Sequence, residues 1–172
     1  MNKIQAHILG EIISSNTSEA HELCKKSSFG ELVGDKIQYS ISETLFLVNK
    51  DKMDVFSRNE KISKKDLMNK FKRIDKKIQI KYPVFEDLRG KGHVVKTALK
   101  FGADFRVYEK GFKPGEKHAK WIVFADHESK KLTWHEFSAK NRVAHSTRKN
   151  LLLAIVDEEG DITYYEVRWV RP

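Results

Sequence analysis

Hydrophobic positions recur at helical spacing in two segments of the first half of the chain. Ser40 and Glu43 have capping-box spacing just ahead of an apolar run, which predicts a helix over Ile41–Asn49. A second helix is predicted to open at Ser63, with one apolar face formed by Leu67, Phe71, Ile74 and Ile78. Residues 2–38 hold short apolar pairs separated by glycines, a pattern that predicts short strands and turns.

The second half of the chain is dominated by short apolar runs between turn signals. The predicted strands are His93–Lys100, Asp104–Tyr108, Trp121–Phe124, Leu151–Val156 and Ile162–Val170. A helix is predicted to begin at Thr133. Pro83 disfavours a helical residue before it, so we place a domain boundary there and expect units at 1–81 and 82–172. The predicted fold class is α/β (α+β), with a small N-terminal mixed subdomain and a C-terminal mixed-sheet domain.

The net charge of +9 favours a polyanionic partner, because each phosphate contact releases counterions. An inert lysine-rich surface explains the charge alone equally well. The outer face of the second predicted helix is also basic, and a solvated helix face is the simpler interpretation of it than an RNA-binding ridge. Its basic residues are Lys64, Lys65, Lys70, Lys72, Arg73, Lys76 and Lys77.

Cellular location is suggested by what the sequence lacks. Cys24 is the only cysteine, which excludes an internal disulfide and fits a reducing cytoplasm. The N-terminus has no long apolar signal-peptide core, and the longest purely apolar run, Leu151–Val156, is too short to span a bilayer. We therefore expect a cytoplasmic protein without membrane segments.

Candidate chemistry lies between residues 96 and 149, where Tyr108, His118 and Lys149 occur in a basic, aromatic-flanked block. RNA carries its own nucleophile, the ribose 2′-hydroxyl, so cleavage needs a proton acceptor, a proton donor and a cation near the phosphate. An imidazole suits the donor role, a lysine ammonium suits the cation role, and a tyrosine can take or relay the first proton. A nearby ammonium would also lower the pKa of the phenol. Taken separately, each residue is an ordinary strand, loop or surface side chain, and spacing alone does not bring the three together.

The block resembles a known family. The sequence from Lys96 to Gly111, KTALKFGADFRVYEKG, is similar to the signature of the archaeal tRNA-intron splicing endonucleases. The pairing of His118 with the segment RVAHSTRK, which ends at Lys149, and the segment from Ala154 to Tyr165 continue the resemblance. It covers roughly residues 82–172 strongly, and the N-terminal part matches in length and layout.

The resemblance implies a fold, an activity and a substrate. The C-terminal domain is expected to be a restriction-endonuclease-like catalytic domain. Tyr108 is implied as general base, His118 as general acid and Lys149 as stabiliser of the transition state. The expected substrate is precursor tRNA folded into a bulge–helix–bulge, and the expected products carry a 2′,3′-cyclic phosphate and a 5′-hydroxyl. No metal and no cofactor is expected to take part.

Further residues are implied by the same resemblance. Arg142 matches an arginine that holds a bulge base, although a helix-surface arginine is an equally good interpretation. Tyr164 stands where some relatives carry a second arginine, so a second clamp residue is not assigned. The family pairs subunits into tetramers through an acidic loop and the last strand. The corresponding residues here are Asp157, Glu158, Glu159, Asp161, Tyr165, Val167 and Trp169. We therefore expect self-association, as a homotetramer or with a related endonuclease subunit.

Two other functions remain open. A non-catalytic structural subunit of a splicing endonuclease should lack part of the Tyr–His–Lys set, and all three positions are present here. A metal-dependent DNA nuclease of restriction-like fold would need clustered carboxylates with a lysine. Asp104, Glu109 and Lys110 are the only nearby set, and their order fits that chemistry poorly.

Overall fold

A computed structural model describes residues 2–172 and divides the chain into two units, Met1–Gln79 and Ile80–Pro172. Each unit has its own mixed sheet with helices, so the predicted mixed α/β class is confirmed. Within residues 2–172, no helix combines the length and the apolar composition that crossing a membrane requires.

The first unit is built on a six-stranded sheet in the order β3-β4-β2-β1-β5-β6. Its strands are β1 (Ile4–Leu9), β2 (Ile12–Ser15), β3 (Glu31–Val33), β4 (Lys36–Tyr39), β5 (Met53–Ser57) and β6 (Glu60–Lys61). Its helices are α1 (Ser18–Ser27), α2 (Ile41–Asn49) and α3 (Lys64–Ile74). The pairing of β1 with β5 is parallel and the other pairings are antiparallel.

The helix prediction for α2 is confirmed at both ends. The Ser40 hydroxyl accepts from the Glu43 N–H, and the Glu43 carboxylate accepts from the Ser40 N–H at 3.0 Å, which completes the capping box. The other Glu43 oxygen accepts from the Gly30 N–H at 3.0 Å, so the same side chain also fixes the loop before β3.

Two predictions for the first unit were wrong. Sequence reasoning missed α1, which begins after the N-cap Thr17, because this mostly polar helix buries only Ala20 and Leu23. The helix predicted from Ser63 stops at Ile74 rather than continuing to Ile78. Asp75 at its C-terminus is extended, and Ile78 begins a separate helix.

The second unit is built on a five-stranded sheet in the order β11-β10-β9-β8-β7. Its strands are β7 (Val95–Ala98), β8 (Ala103–Val107), β9 (Trp121–His127), β10 (Asn150–Val156) and β11 (Ile162–Val167). Its helices are α4 (Ile78–Gly90), which begins at the end of the first unit, and α5 (Trp134–Ser146). The strands β9 and β10 are parallel, and α5, which connects them, packs against both.

The core behind the candidate site lies between α5 and this sheet. Ala144 of α5 packs with Ile122 and Phe124 of β9 and with Leu151 of β10, and all four are buried. Burying these side chains stabilises the unit by roughly 1.5–3 kcal/mol for each large aliphatic or aromatic residue. The core therefore holds β9 and β10 in a fixed register against each other.

Two predictions for the second unit also need correction. The helical break predicted at Tyr82 and Pro83 does not exist, because α4 runs through Pro83 although a proline cannot donate a helical hydrogen bond. The last strand ends at Val167, so Trp169 lies beyond it and does not share a strand face with Tyr165.

A buried ion pair gives a stability prediction for the second unit. Asp104 accepts from the Ala125 N–H at 2.8 Å and lies 3.3 Å from the Lys81 ammonium, with side chains 10% and 14% exposed. Asp104→Ala removes this pair and the acceptor of the Ala125 N–H, and should lower the free energy of unfolding by about 3 kcal/mol. All three tryptophans lie in this unit, so urea unfolding followed by tryptophan fluorescence reports on it alone.

The control is Glu116→Ala, which removes an exposed pair with Lys113 at 3.5 Å. We expect this change to alter the free energy by no more than about 0.5 kcal/mol. Equal effects of the two substitutions would contradict a structural role for the Asp104 pair.

Candidate active site

At one end of the second sheet, β8 ends at the level where β9 and β10 begin. Val107, the last residue of β8, pairs with Trp121, the first residue of β9, and Trp121 also pairs with Asn150, the first residue of β10. Two hydrogen bonds extend this pairing by one residue, since the Lys120 N–H donates to the Val107 carbonyl and the Asn150 N–H donates to the Lys120 carbonyl, both at 2.9 Å. The residues just outside the strands therefore form a row in the order Tyr108, Lys120, Lys149.

This row brings together two of the three residues that the sequence singled out. Neighbouring strands lie about 4.8 Å apart, so the backbones of Tyr108 and Lys149 are roughly 10 Å apart with Lys120 between them. His118 lies two residues before Lys120, in the loop that connects β8 to β9. All three candidates are thus at one end of one sheet, although they are up to 41 positions apart in the chain.

Both backbone polar groups of Tyr108 form hydrogen bonds. Its N–H donates to the Val94 carbonyl at 2.9 Å, and its carbonyl accepts from His93 Nδ1 at 2.8 Å. The His93 ring in turn meets Trp121 edge-on, with ring centres 5.6 Å apart. Tyr108 is only 5% exposed, so its position is set by packing as well as by hydrogen bonds.

Lys149 is half-buried in the short segment between α5 and β10. Its N–H donates to the Ala144 carbonyl, and its ammonium donates to the Thr147 carbonyl at 2.7 Å and lies 5.8 Å from the centre of the Phe101 ring. Burial lowers the pKa of Lys149, and repulsion from the Arg106 guanidinium lowers it further. An anion bound beside this ammonium would offset both unfavourable effects.

The His118 loop is closed by one carboxylate. Glu109, next to Tyr108, accepts from the Lys117 ammonium at 2.6 Å and from the Lys120 ammonium at 2.7 Å. The hydrogen bond from Lys117, followed by the one from Lys120, lowers the pKa of Glu109 to about 2. Lys117 and Lys120 flank the exposed His118, so Glu109 fixes both ends of the short segment that carries the imidazole.

Sequence reasoning missed two cations of this site. Lys120 occupies the centre of the row and lies 4.7 Å from the Trp121 ring, and Arg106 acts electrostatically on Lys149. Both lie next to strand ends, and that position was the only signal available. Together with Lys149 they place three cationic side chains at this end of the sheet.

Arg142, the predicted clamp residue, lies on α5, and Tyr164, which stands where some relatives carry a second arginine, lies on β11. Arg142 is exposed on α5, seven residues before Lys149. Tyr164 is half-buried on β11, where its hydroxyl donates to Asp87 at 2.7 Å and its ring lies 5.0 Å from the Lys91 ammonium. Burial raises the pKa of Tyr164, and the hydrogen bond to Asp87 raises it further. Tyr164 therefore makes its main polar contact with α4.

The acidic segment forms the β10–β11 turn, and its carboxylates differ in what they contact. Asp157 accepts at Oδ1 from the N–H groups of Glu159 and Asp161, at 3.0 and 2.8 Å, so its carboxylate shapes the turn. The side chains of Glu158, Glu159 and Asp161 are exposed. The strand β11 is an edge of the sheet, and Tyr165 on it is 55% exposed.

The carboxylates considered for a metal-dependent reaction are engaged separately. Asp104 contacts Lys81 and the Ala125 N–H, whereas Glu109 contacts Lys117 and Lys120. Over residues 2–172, no three His, Cys, Asp or Glu side chains come together as a metal-binding group.

Fold and site together define a two-domain α/β protein with a tyrosine, a histidine-bearing loop and a cluster of cations at one end of its second sheet. Residues 78–164 match the catalytic C-terminal domain of tRNA intron endonucleases, and residues 4–68 match the N-terminal domain of the same proteins. The chain belongs to the tRNA intron endonuclease family.

Individual relatives are similar over nearly the whole chain. A protein of Thermococcus gammatolerans named tRNA-splicing endonuclease is 39% identical over 160 residues, which is 93% of this chain and 94% of the relative. A Pyrococcus horikoshii protein of the same name is 38% identical over 98% of this chain and 97% of its own length. One from Methanothermobacter thermautotrophicus is 34% identical over 99% of both chains.

The Glu109 contacts predict how the His118 loop moves. Glu109→Gln removes the charge that holds Lys117 and Lys120, and amide hydrogen exchange over residues 112–119 should become about tenfold faster. Because the pKa of Glu109 is depressed, its contribution is fully present above pH ~4.5 and is lost as the pH falls through about 2. The wild-type loop should therefore stay protected from pH 5 to 8.

Glu116→Gln is the matched control, since Glu116 lies in the same loop and forms only the exposed pair with Lys113. Its exchange rates should stay within about twofold of wild type. If Glu109→Gln behaves in the same way as this control, Glu109 does not hold the loop.

Proposed function

We propose that this protein is a tRNA-splicing endonuclease that cuts precursor tRNA at the boundaries of its intron. The observation that carries the proposal is the match of both domains to one family, together with relatives of that name that align over nearly the full length of both chains. The cationic side chains at one end of the second sheet suit a polyanionic substrate.

The proposed reaction is an attack of the ribose 2′-oxygen on the adjacent phosphorus. Tyr108 takes or relays the 2′ proton, the new O–P bond forms, and the bond from phosphorus to the 5′ oxygen breaks. His118 gives a proton to the departing 5′ oxygen. The products are a 2′,3′-cyclic phosphate and a 5′-hydroxyl, so the protons balance without water or a metal ion.

Lys149 is proposed to stabilise the negative charge on the phosphate in the transition state. Its half-buried ammonium, with a pKa lowered by burial and by Arg106, supports this role because phosphate would relieve both effects. The position of Tyr108 and Lys149 on either side of Lys120 supports a shared site. Glu109 supports the role of His118 by closing its loop.

The proposed substrate is a bulge–helix–bulge RNA, whose unpaired bases are open to recognition by side chains. We assign Arg142, exposed on α5, to contact with a bulge base. The cytoplasm is the proposed compartment.

We propose self-association, with a homotetramer as the expected state and a related endonuclease subunit as the alternative partner. Exposed carboxylates of the β10–β11 turn offer a charged contact, while Asp157 maintains the shape of that turn. The open edge of β11 offers a pairing surface, with Tyr165, Val167 and Trp169 as its apolar contacts. Two active sites related by a two-fold axis would suit a substrate with two bulges.

The test of the reaction is incubation of the purified protein with a bulge–helix–bulge RNA in excess EDTA. We expect two cuts that leave 2′,3′-cyclic phosphate and 5′-hydroxyl ends, and no cut where the 2′-hydroxyl is replaced by hydrogen. His118→Ala should slow cleavage by about 10²- to 10⁴-fold, which is the usual contribution of a general acid. His135→Ala, which changes an exposed histidine on α5, should leave the rate unchanged.

The alternatives give different results in the same assay. Cleavage that requires a divalent ion would favour the metal-dependent nuclease, and cleavage only after a second subunit is added would favour a non-catalytic subunit. A wild-type rate for His118→Ala would remove the acid assignment.

Self-association is tested by light scattering at micromolar concentration, where we expect a tetramer. Glu158→Lys combined with Glu159→Lys reverses the charge of the turn and should give smaller species. Glu11→Lys combined with Glu22→Lys makes the same charge change at exposed positions of the first unit and should leave the mass unchanged. A monomeric wild-type protein would overturn the assembly proposal.

A further inference from the structure

The positive charge of the first unit is concentrated in one short segment. Residues 1–80 carry 15 basic and 11 acidic residues. Residues 64–77, which contain α3, account for seven of the basic and two of the acidic residues. The remainder holds eight basic and nine acidic residues, so the basic surplus of this unit lies entirely in and just after α3.

The fold directs this charge into solvent. Leu67 and Phe71 are 1% and 0% exposed, which fixes the inner face of α3. Positions three, four, seven and eight apart share a helix face, so Lys65, Lys72 and Arg73 lie on the opposite side. These three residues and Lys76, just past the helix, are exposed, and we call them the α3 basic ridge.

Acidic neighbours do not neutralise the ridge. None of its four side chains forms an ion pair or hydrogen bond with any residue from 2 to 172. Asp66, the acidic residue within α3, accepts from the Ser63 hydroxyl. The lysines around the candidate active site differ, because Lys117 and Lys120 are both paired with Glu109. Unpaired cations keep their counterions, whose release favours binding to a polyanion.

The position and composition of the ridge indicate which kind of polyanion it would bind. The apolar face of α3 is buried in the protein, so the helix cannot insert into a membrane surface as a free amphipathic helix would. The exposed face presents Lys65, Asn69, Lys72 and Arg73 without an aromatic ring, so it offers charge and no platform for stacking bases. Lys65 and Lys72 are seven residues apart, about 10 Å along the helix, so their ammonium groups can contact separate phosphates of one backbone.

We propose that the α3 basic ridge is a second RNA-binding site that holds the phosphate backbone of a helical part of the substrate, independently of base sequence. The proposal rests on the proposed function for the identity of the RNA. The ridge contributes to binding and takes no part in the reaction, because phosphate contacts position a nucleic acid and carry no sequence information.

The test uses the full chain and a bulge–helix–bulge RNA made uncleavable by 2′-deoxy substitution at the cut sites. The triple variant Lys65→Gln, Lys72→Gln, Arg73→Gln should bind about 10- to 30-fold more weakly at 0.1 M salt. The slope of log K against log salt should become shallower by about two to three. With cleavable RNA at saturation, the rate constant should stay within about twofold of wild type while KM rises.

Two control variants separate the ridge from net charge and from folding. The first control removes three exposed charges elsewhere on the same unit and should change binding by less than about threefold. It combines Lys25→Gln, Lys26→Gln and Lys36→Gln. The second control keeps the charge of the ridge and should bind as wild type does. It combines Lys65→Arg, Lys72→Arg and Arg73→Lys. Each residue of the triple variant changed alone to Gln should give about a third of the change in slope, which keeps the test decisive if the triple variant is poorly folded.

The outcomes distinguish this site from the proposed function. Normal RNA binding by the triple variant, or an equal loss in the Lys25, Lys26 and Lys36 variant, would overturn the ridge while leaving the endonuclease intact. Failure of the wild type to cut the RNA would overturn the proposed function, and the binding comparison would still report on the ridge. The alternative to RNA as the ligand of the ridge is an acidic protein partner. It would show as normal RNA binding by the triple variant together with lost protein binding, and that result counts against the proposal.

Discussion

The common register of β8, β9 and β10 is the constraint on which the candidate site depends. Trp121 pairs with Val107 on one side and with Asn150 on the other, so both ends of the β8–β9 loop and the short segment between α5 and β10 lie at one level. A shift of one residue in either pairing would turn the side chains of that strand to the opposite face. The buried contacts of Ile122, Ala144 and Leu151 make such a shift costly, because it would expose these residues or leave cavities.

Around this frame, the site is positioned mainly by backbone hydrogen bonds and ion pairs. The peptide of Tyr108 is held by Val94 and His93, and the His118 loop is closed through Glu109. The arrangement provides fixed geometry at little conformational cost when an RNA binds, and such preorganisation is what acid–base and electrostatic catalysis require.

The two units differ in how they use positive charge. In the second unit, lysines near the row are paired with carboxylates, and the half-buried Lys149 has a lowered pKa. In the first unit, the four cations of the α3 basic ridge are exposed and form no ion pair with any residue from 2 to 172. A small number of constrained charges suits chemistry at one phosphate, whereas a row of free charges suits binding along a backbone. Under the two proposals, lysine would serve both purposes, according to its burial and its neighbours.

By itself, the sequence determined the mixed α/β class, the bounds of α2 and the positions of most strands, because periodicity and capping are local signals. It also supplied Tyr108, His118 and Lys149 as candidates, through the resemblance of a contiguous block. It missed α1, which buries too few side chains to show a periodic pattern, and it read Pro83 as a break, although a helix tolerates the loss of one hydrogen bond. Only the tertiary structure revealed the row of Tyr108, Lys120 and Lys149, the closure of the loop by Glu109 and the influence of Arg106 on Lys149. Those relations depend on strand pairing between distant segments, and no local pattern of residues encodes them.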